Sequence, residues 1–112
     1  VLTIQVIYRT KMMINTEELK KAVRSFNEYS PSQRTILELF IDIAIDNVVH
    51  VSAKYIADKT KIKTSTIYFA INLFLKDGII KRDSGTSKAY ILSEEKLNYI
   101  MQTYQKKYPL EK

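Results

Sequence analysis

Cysteine and tryptophan are absent from this sequence of 112 residues, which has only two glycines, two prolines and one histidine. Without cysteine there is no disulfide framework, no thiolate nucleophile and no cysteine-ligated zinc, which fits a reducing, cytoplasmic compartment. No apolar run reaches the roughly 18 residues that a membrane-spanning helix needs. The apolar residues 1–8 lack the charged start and the small-residue cleavage site of a signal peptide.

The scarcity of chemistry-bearing residues argues against an enzyme. With two glycines the chain has no glycine-rich phosphate loop. The single histidine, His50, lies between Val49 and Val51 in an apparent strand, with neither a cysteine partner nor a cluster of acids at a telling spacing. We therefore expect no catalytic residue, no metal site and no cofactor.

Positive charge is what the chain has in excess, and most of it lies in one stretch. The net charge of the whole chain is +6. Residues 51–88 hold eight Lys/Arg against three Asp/Glu, whereas residues 30–50 hold one against three. Hydrophobic residues make up 46% of the chain, so one globular domain with its own core is expected. A basic stretch on such a domain is typical of nucleic-acid binding, although an ordinary lysine-rich surface would look the same.

Periodicity and capping residues predict a mainly α-helical chain with a small β-hairpin. The expected order is helix, helix, short strand, helix, helix, hairpin, helix. Ser30, Ser52 and Ser93 are placed as N-caps, and Gly78 is placed just after the fourth helix. The helices are predicted over residues 16–29, 31–46, 53–60, 64–76 and from 93 onward, and the strands over 48–51, 79–82 and 89–92.

Residues 52–92 resemble the winged helix-turn-helix family of DNA-binding proteins. Ile56-Ala57 stands where the family packs its first helix closely on the second, and Ile62 stands in the tight turn. Thr66-Ile67-Tyr68, followed by Ile71, Phe74 and Gly78-Ile79-Ile80-Lys81, matches a recognition helix that runs into the first strand of the wing. The resemblance implies a winged helix-turn-helix fold that binds duplex DNA, with the recognition helix in the major groove.

Two positions depart from the family pattern. Lys61 stands where the turn usually has glycine, which is favoured there because the turn can require a positive φ. Lys63 stands where the recognition helix usually opens with serine or threonine, so Thr64 is an alternative cap. The docking register of the helix on DNA depends on where the helix begins.

Helical geometry selects the residues of the recognition helix that face outward. If Ile67, Ile71 and Phe74 are buried, a rotation of about 100° per residue places a mostly polar face on the opposite, exposed side of the helix. The residues placed there and at the helix start are Lys63, Thr64, Ser65, Tyr68, Phe69, Asn72 and Lys76. Asn72 suits adenine and Phe69 suits a thymine methyl group. Asn72 as a plain surface residue, and Phe69 packed on another subunit or on the N-terminal helix, remain open alternatives.

The resemblance implies a second set of contacts, made by the wing and by the helix that precedes the recognition helix. These residues would hold the DNA backbone or enter the minor groove. They are Lys54, Lys81, Arg82, Ser84, Thr86, Ser87 and Lys88.

The winged core is predicted over residues 14–92, with an extension over 1–13 and a C-terminal helix over 93–112. Residues 1–11 have three open explanations: a translated upstream stretch, part of a trimmed protein, or an edge strand. A stripe on the last helix predicts a homodimer, with packing on its own domain as the alternative. The stripe is Leu97, Ile100, Met101, Tyr104 and Tyr108.

Three functions fit these observations. Sequence-specific binding of duplex DNA as a transcriptional regulator is the first, and a replication or maintenance protein of a plasmid or virus is the second. A winged helix used for protein–protein interaction is the third, and the charge of residues 51–88 argues against it. No small-molecule effector is evident.

Overall fold

A computed structural model describes residues 16–85 and 89–109 of the chain. The predicted N-terminal extension 1–13 and three predicted contact residues, Thr86, Ser87 and Lys88, lie outside these residues. The described part forms five helices and a three-stranded antiparallel sheet, so the expectation of a mainly helical chain is confirmed. The elements are α1 (Thr16–Arg24), α2 (Pro31–Ile43), β1 (Val48–His50), α3 (Ala53–Thr60), α4 (Thr64–Asp77), β2 (Ile80–Arg82), β3 (Ala89–Leu92) and α5 (Glu94–Lys107).

The predicted caps begin and end the helices as expected. Ser30 forms a full capping box with Gln33, because its hydroxyl accepts from the Gln33 N–H at 3.3 Å while the Gln33 side chain accepts from the Ser30 N–H at 2.9 Å. The hydroxyls of Ser52 and Ser93 cap α3 and α5 by accepting from the N–H groups of Tyr55 and Lys96. Gly78 ends α4 with φ of 80°, a left-handed conformation that glycine adopts without strain.

Two helices are shorter than the sequence predicts. The helix over 16–29 ends at Arg24, after which irregular turns place Phe26 and Tyr29 in the core. The helix over 31–46 ends at Ile43, because Asp46 and Asn47 take φ values of 53° and 68° and close a tight turn into β1. A two-residue turn with positive φ at both positions matches the twist of an antiparallel pair, and Asp and Asn tolerate it better than most residues.

The central strand of the sheet is β3, which pairs with β1 on one side and β2 on the other. In the β2–β3 pair, Ile80 lies opposite Leu92 and Arg82 lies opposite Tyr90. Directly opposite residues in an antiparallel pair share one face of the sheet. Residues two apart on a strand also share a face, so all four lie on the core side of the sheet. Ile80, Leu92 and Tyr90 are buried there, whereas Arg82, at the end of β2, is exposed.

The core lies between α2, α4 and the sheet. Phe40 and Phe74 are fully buried, with their ring centroids 6.2 Å apart in an edge-to-face arrangement. The Tyr90 ring stacks with the Phe40 ring at a centroid distance of 6.2 Å, and the Tyr29 ring lies 5.2 Å from that of Phe74. These aromatic contacts hold α4 in a fixed orientation with respect to the hairpin. None of the described helices is both long and apolar enough to cross a membrane.

The stripe on α5 packs inward. Leu97, Ile100 and Met101 are buried in the core of their own chain, where α5 lies against α1. The prediction that these three side chains form a dimer surface is therefore wrong, since a side chain covered by its own domain is not available to a partner. Of the five residues in that prediction, Tyr104 is half-buried and Tyr108 is exposed.

Candidate functional site

Helix α4 has one buried face and one exposed face. Ile67, Ala70, Ile71 and Phe74 point into the core. All seven residues predicted for the outward face and the helix start are exposed: Lys63, Thr64, Ser65, Tyr68, Phe69, Asn72 and Lys76. The spacing of the buried residues was thus sufficient to assign the exposed side.

The turn between α3 and α4 shows why the two unusual lysines matter. Lys61 adopts φ of 62° and its N–H donates to the Ala57 carbonyl at 2.8 Å, so the turn does require the positive φ that the sequence suggested. The Thr60 hydroxyl accepts from the Ile62 N–H at 3.3 Å and stabilises the turn. Lys63 occupies the N-cap of α4 and makes no side-chain cap, and the helix begins at Thr64. The alternative in which Thr64 caps the helix is wrong.

Two aromatic side chains stand out on the exposed side of α4. Tyr68 is 58% exposed and Phe69 is 66% exposed. The two side chains are consecutive in the sequence and give this side of the helix an apolar area next to its polar residues. Their exposure does not support the alternative that Phe69 packs on the N-terminal helix.

The β2–β3 hairpin presents cations beside α4. The guanidinium of Arg82 lies 5.7 Å from the centre of the Tyr90 ring, while Lys81 and Ser84 are exposed. In the turn, the Asp83 carboxylate accepts from the Gly85 N–H at 3.1 Å. Among the described residues, Asp83 forms no ion pair with Lys81 or Arg82.

A groove of about 440 Å³ connects these elements. It lies between the start of α3, the exposed side of α4 and the two strands of the hairpin. Its lining brings together Lys54, Tyr68, Asn72 and Arg82, which the sequence assigned to two separate contact sets. Sequence reasoning did not assign five other described lining residues to a contact set: Val51, Ser52, Ala53, Ile71 and Tyr90. For Tyr90, the signal that could have found it is the cross-strand pairing with Arg82.

Charged side chains pair with one another elsewhere on the molecule. Lys20 lies 3.0 Å from Asp42, and this hydrogen bond raises the pKa of Lys20. Arg24 lies 3.0 Å from Glu38. In contrast, no described acidic residue forms an ion pair with the cations around α4 and the hairpin. These unpaired cations are Lys54, Lys63, Lys76, Lys81 and Arg82.

Other kinds of site find less support in the structure. The described residues contain no cluster of histidine and acidic side chains that could hold a metal ion. His50 is exposed at the end of β1. Comparison of the chain with protein-family models, with curated proteins and with solved structures finds no match.

Proposed function

We propose that this protein binds duplex DNA sequence-specifically as a winged helix-turn-helix. In this proposal α3 and α4 form the helix-turn-helix, α4 enters the major groove, and the β2–β3 hairpin is the wing that lies on the backbone. The observation that carries it is the exposed face of α4, which has no acidic residue from Thr64 to Lys76 and lies beside the cations of the hairpin.

The roles of individual residues follow from their chemistry and position. Asn72 can bond adenine through its amide, and Phe69 can cover a thymine methyl group. Thr64 and Ser65, on the first turn of α4, can reach base edges or phosphates. Basic side chains around this face would neutralise phosphates and supply the sequence-independent part of the affinity. They are Lys54, Lys63, Lys76, Lys81, Arg82 and, outside the described residues, Lys88.

The proposed role is transcriptional regulation in the cytoplasm, by occupation of a specific operator. Replication or maintenance of a plasmid or virus is the alternative within DNA binding. A protein–protein module is the alternative outside it, and the exposure of Phe69 is the observation in its favour. Of the five residues predicted for a homodimer interface, only Tyr104 and Tyr108 are accessible to a partner.

Selection of bound sequences from a random pool of duplex DNA, at two salt concentrations, tests the proposal. We expect a defined motif to be enriched at both concentrations. Asn72→Ala should relax one base position and weaken binding to the preferred site by about 1–3 kcal/mol, with little effect on random DNA. The matched control is Asn98→Ala on α5, which should leave the motif unchanged. Recovery of no motif, or equal loss on specific and random DNA for Asn72→Ala, would contradict the base-reading role of this helix.

A further inference from the structure

The groove between α3, α4 and the hairpin contains aromatic and amide side chains in addition to the cations that would bind a duplex backbone. We propose that it binds an unpaired nucleotide, so that the preferred target is duplex DNA with a short unpaired stretch next to the recognised site. The inference rests on the proposed function, since it concerns the same DNA-facing side of the molecule. It adds a substrate class that the resemblance to the family does not imply.

Tyr68 gives the groove a flat surface for a base. Its ring is 58% exposed and forms part of the groove wall. In a paired duplex the bases present only their edges in the grooves, and their faces are covered by neighbouring bases. An unpaired base exposes its face and can stack on an aromatic ring, which is the usual way that proteins hold single-stranded nucleic acid. The position of Tyr68 therefore favours an unpaired base.

Asn72 lies next to that ring, so an unpaired base stacked on Tyr68 would adjoin the paired base that Asn72 is proposed to read. Asn72 follows Tyr68 by four residues on α4, a spacing that brings two side chains to about 5–6 Å between their Cβ atoms. The side-chain amide both donates and accepts hydrogen bonds, as the edges of the bases do. One helix thus supplies a stacking surface for the unpaired base and an amide for the paired base beside it.

Two cations supply the contacts that the adjoining phosphates require. Lys54 lies on the α3 side of the groove and Arg82 on the hairpin side. The guanidinium of Arg82 lies over the Tyr90 ring, 5.7 Å from its centre, and this cation–π contact favours its position at the groove. No acidic residue is among the described residues that line the groove. This charge is complementary to a phosphodiester strand.

The size of the groove also fits one nucleotide. Its volume of about 440 Å³ lies within the range of about 300–1,000 Å³ typical of small-molecule sites. A protein partner would find a groove with two cations and no described acid there, instead of a broad apolar patch, since Phe69 is not among the described lining residues. We therefore assign the groove to a nucleotide of a DNA strand.

The test compares two labelled probes and uses the full chain. One probe is a duplex with the selected motif, and the other is the same duplex with a short run of mismatched, unpaired bases beside the motif. We expect the wild type to bind the mismatched probe about tenfold more tightly than the duplex, a preference equivalent to about 1.4 kcal/mol. Tyr68→Leu should reduce the ratio of the two affinities towards one.

Tyr99→Leu is the matched control, because Tyr99 on α5 is 51% exposed and does not line this groove. It should keep the wild-type ratio. Equal wild-type affinity for both probes would overturn the inference and leave the proposed function standing, whereas binding to neither probe would overturn both. Binding to the mismatched probe alone would support the assignment of the groove to an unpaired nucleotide and would contradict the proposed binding of fully paired duplex DNA.

Photocrosslinking locates the unpaired base directly. A photoreactive 5-iodouracil placed in the mismatched run should crosslink to Tyr68, as identified by mass spectrometry of the digested complex. Crosslinks confined to other elements would overturn the assignment. Displacement of the mismatched probe by a free deoxynucleoside monophosphate at micromolar concentration would also overturn it, because the groove would then bind a small nucleotide instead of a DNA strand.

Discussion

The guanidinium of Arg82 lies over the ring of Tyr90, 5.7 Å from its centre, and the two residues are directly opposite each other on β2 and β3. Tyr90 in turn stacks on Phe40, whose ring contacts Phe74 of α4. This series of rings connects the cation of the hairpin to the buried face of the helix beside it. The core therefore fixes the distance between α4 and the hairpin, the two elements proposed to contact DNA.

Arg82→Ala should weaken binding to every DNA sequence and reduce the salt slope by about one unit, because one phosphate contact is lost. Arg82→Lys should keep the slope yet bind less tightly, since an ammonium lacks the planar face that stacks on Tyr90. Lys106→Ala on α5 removes the same charge away from the groove and is the control. DNA-binding titrations at several salt concentrations give the slope for all three variants. An unchanged slope for Arg82→Ala would show that Arg82 of the hairpin does not contact a DNA phosphate.

Leu97→Glu should unfold the protein or lower its melting temperature greatly, because Leu97 is 5% exposed and an unpaired carboxylate would be buried among apolar side chains. Tyr108→Glu, at a residue that is 52% exposed, should change stability by less than about 0.5 kcal/mol. Thermal melts followed by circular dichroism compare the two variants. A folded Leu97→Glu variant with half the wild-type mass in solution would instead show that Leu97 contributes to a dimer interface on α5.

Lys61→Gly should stabilise the protein by about 0.5–1 kcal/mol, because Lys61 holds φ of 62° and glycine takes that conformation without the strain of a side chain. Lys59→Gly removes the same charge inside α3 and should destabilise it by about 1 kcal/mol. Urea unfolding of both variants provides the measurement. Destabilisation of similar size in both variants would show that the turn does not strain Lys61.

Tyr29→Phe should destabilise the protein by about 1 kcal/mol at neutral pH, since the Tyr29 hydroxyl donates to Asp77 at 3.1 Å. Burial, followed by this hydrogen bond, raises the pKa of Tyr29 well above its ordinary value of 10.0. Because the folded pKa is the higher one, this stabilisation is complete below about pH 10 and is lost as the pH rises towards the folded pKa. Urea unfolding should show that the difference in free energy of unfolding between variant and wild type is smaller at about pH 11 than at pH 7. A difference that grows with pH would contradict the assignment.

The sequence was most informative where one side chain fixes the backbone. Ser30, Ser52, Ser93 and Gly78 each act through local hydrogen bonds or a local φ, so the helix ends that they mark could be predicted. The end of α1 could not be predicted, because the chain leaves the helix at Arg24 to place Phe26 and Tyr29 against Phe74 and Tyr99, which are distant in sequence.

The same distinction holds for the candidate site. Helical spacing was sufficient to find the exposed face of α4, since three buried residues determine the opposite side. It could not decide whether the stripe on α5 packs on its own chain or on a partner, because both leave the same pattern in the sequence. The groove also needed the structure, as Lys54, Tyr68 and Arg82 meet only when α3, α4 and the hairpin are packed together.

The measurement that tests the account most directly is the affinity of the purified protein for duplex DNA as a function of salt. If about four to six phosphates are contacted, log K should fall linearly against log salt with a slope of roughly −4 to −5 per subunit. Affinity for duplex that is undetectable at about 50 mM salt, where phosphate contacts are strongest, would contradict the account and favour the protein–protein module.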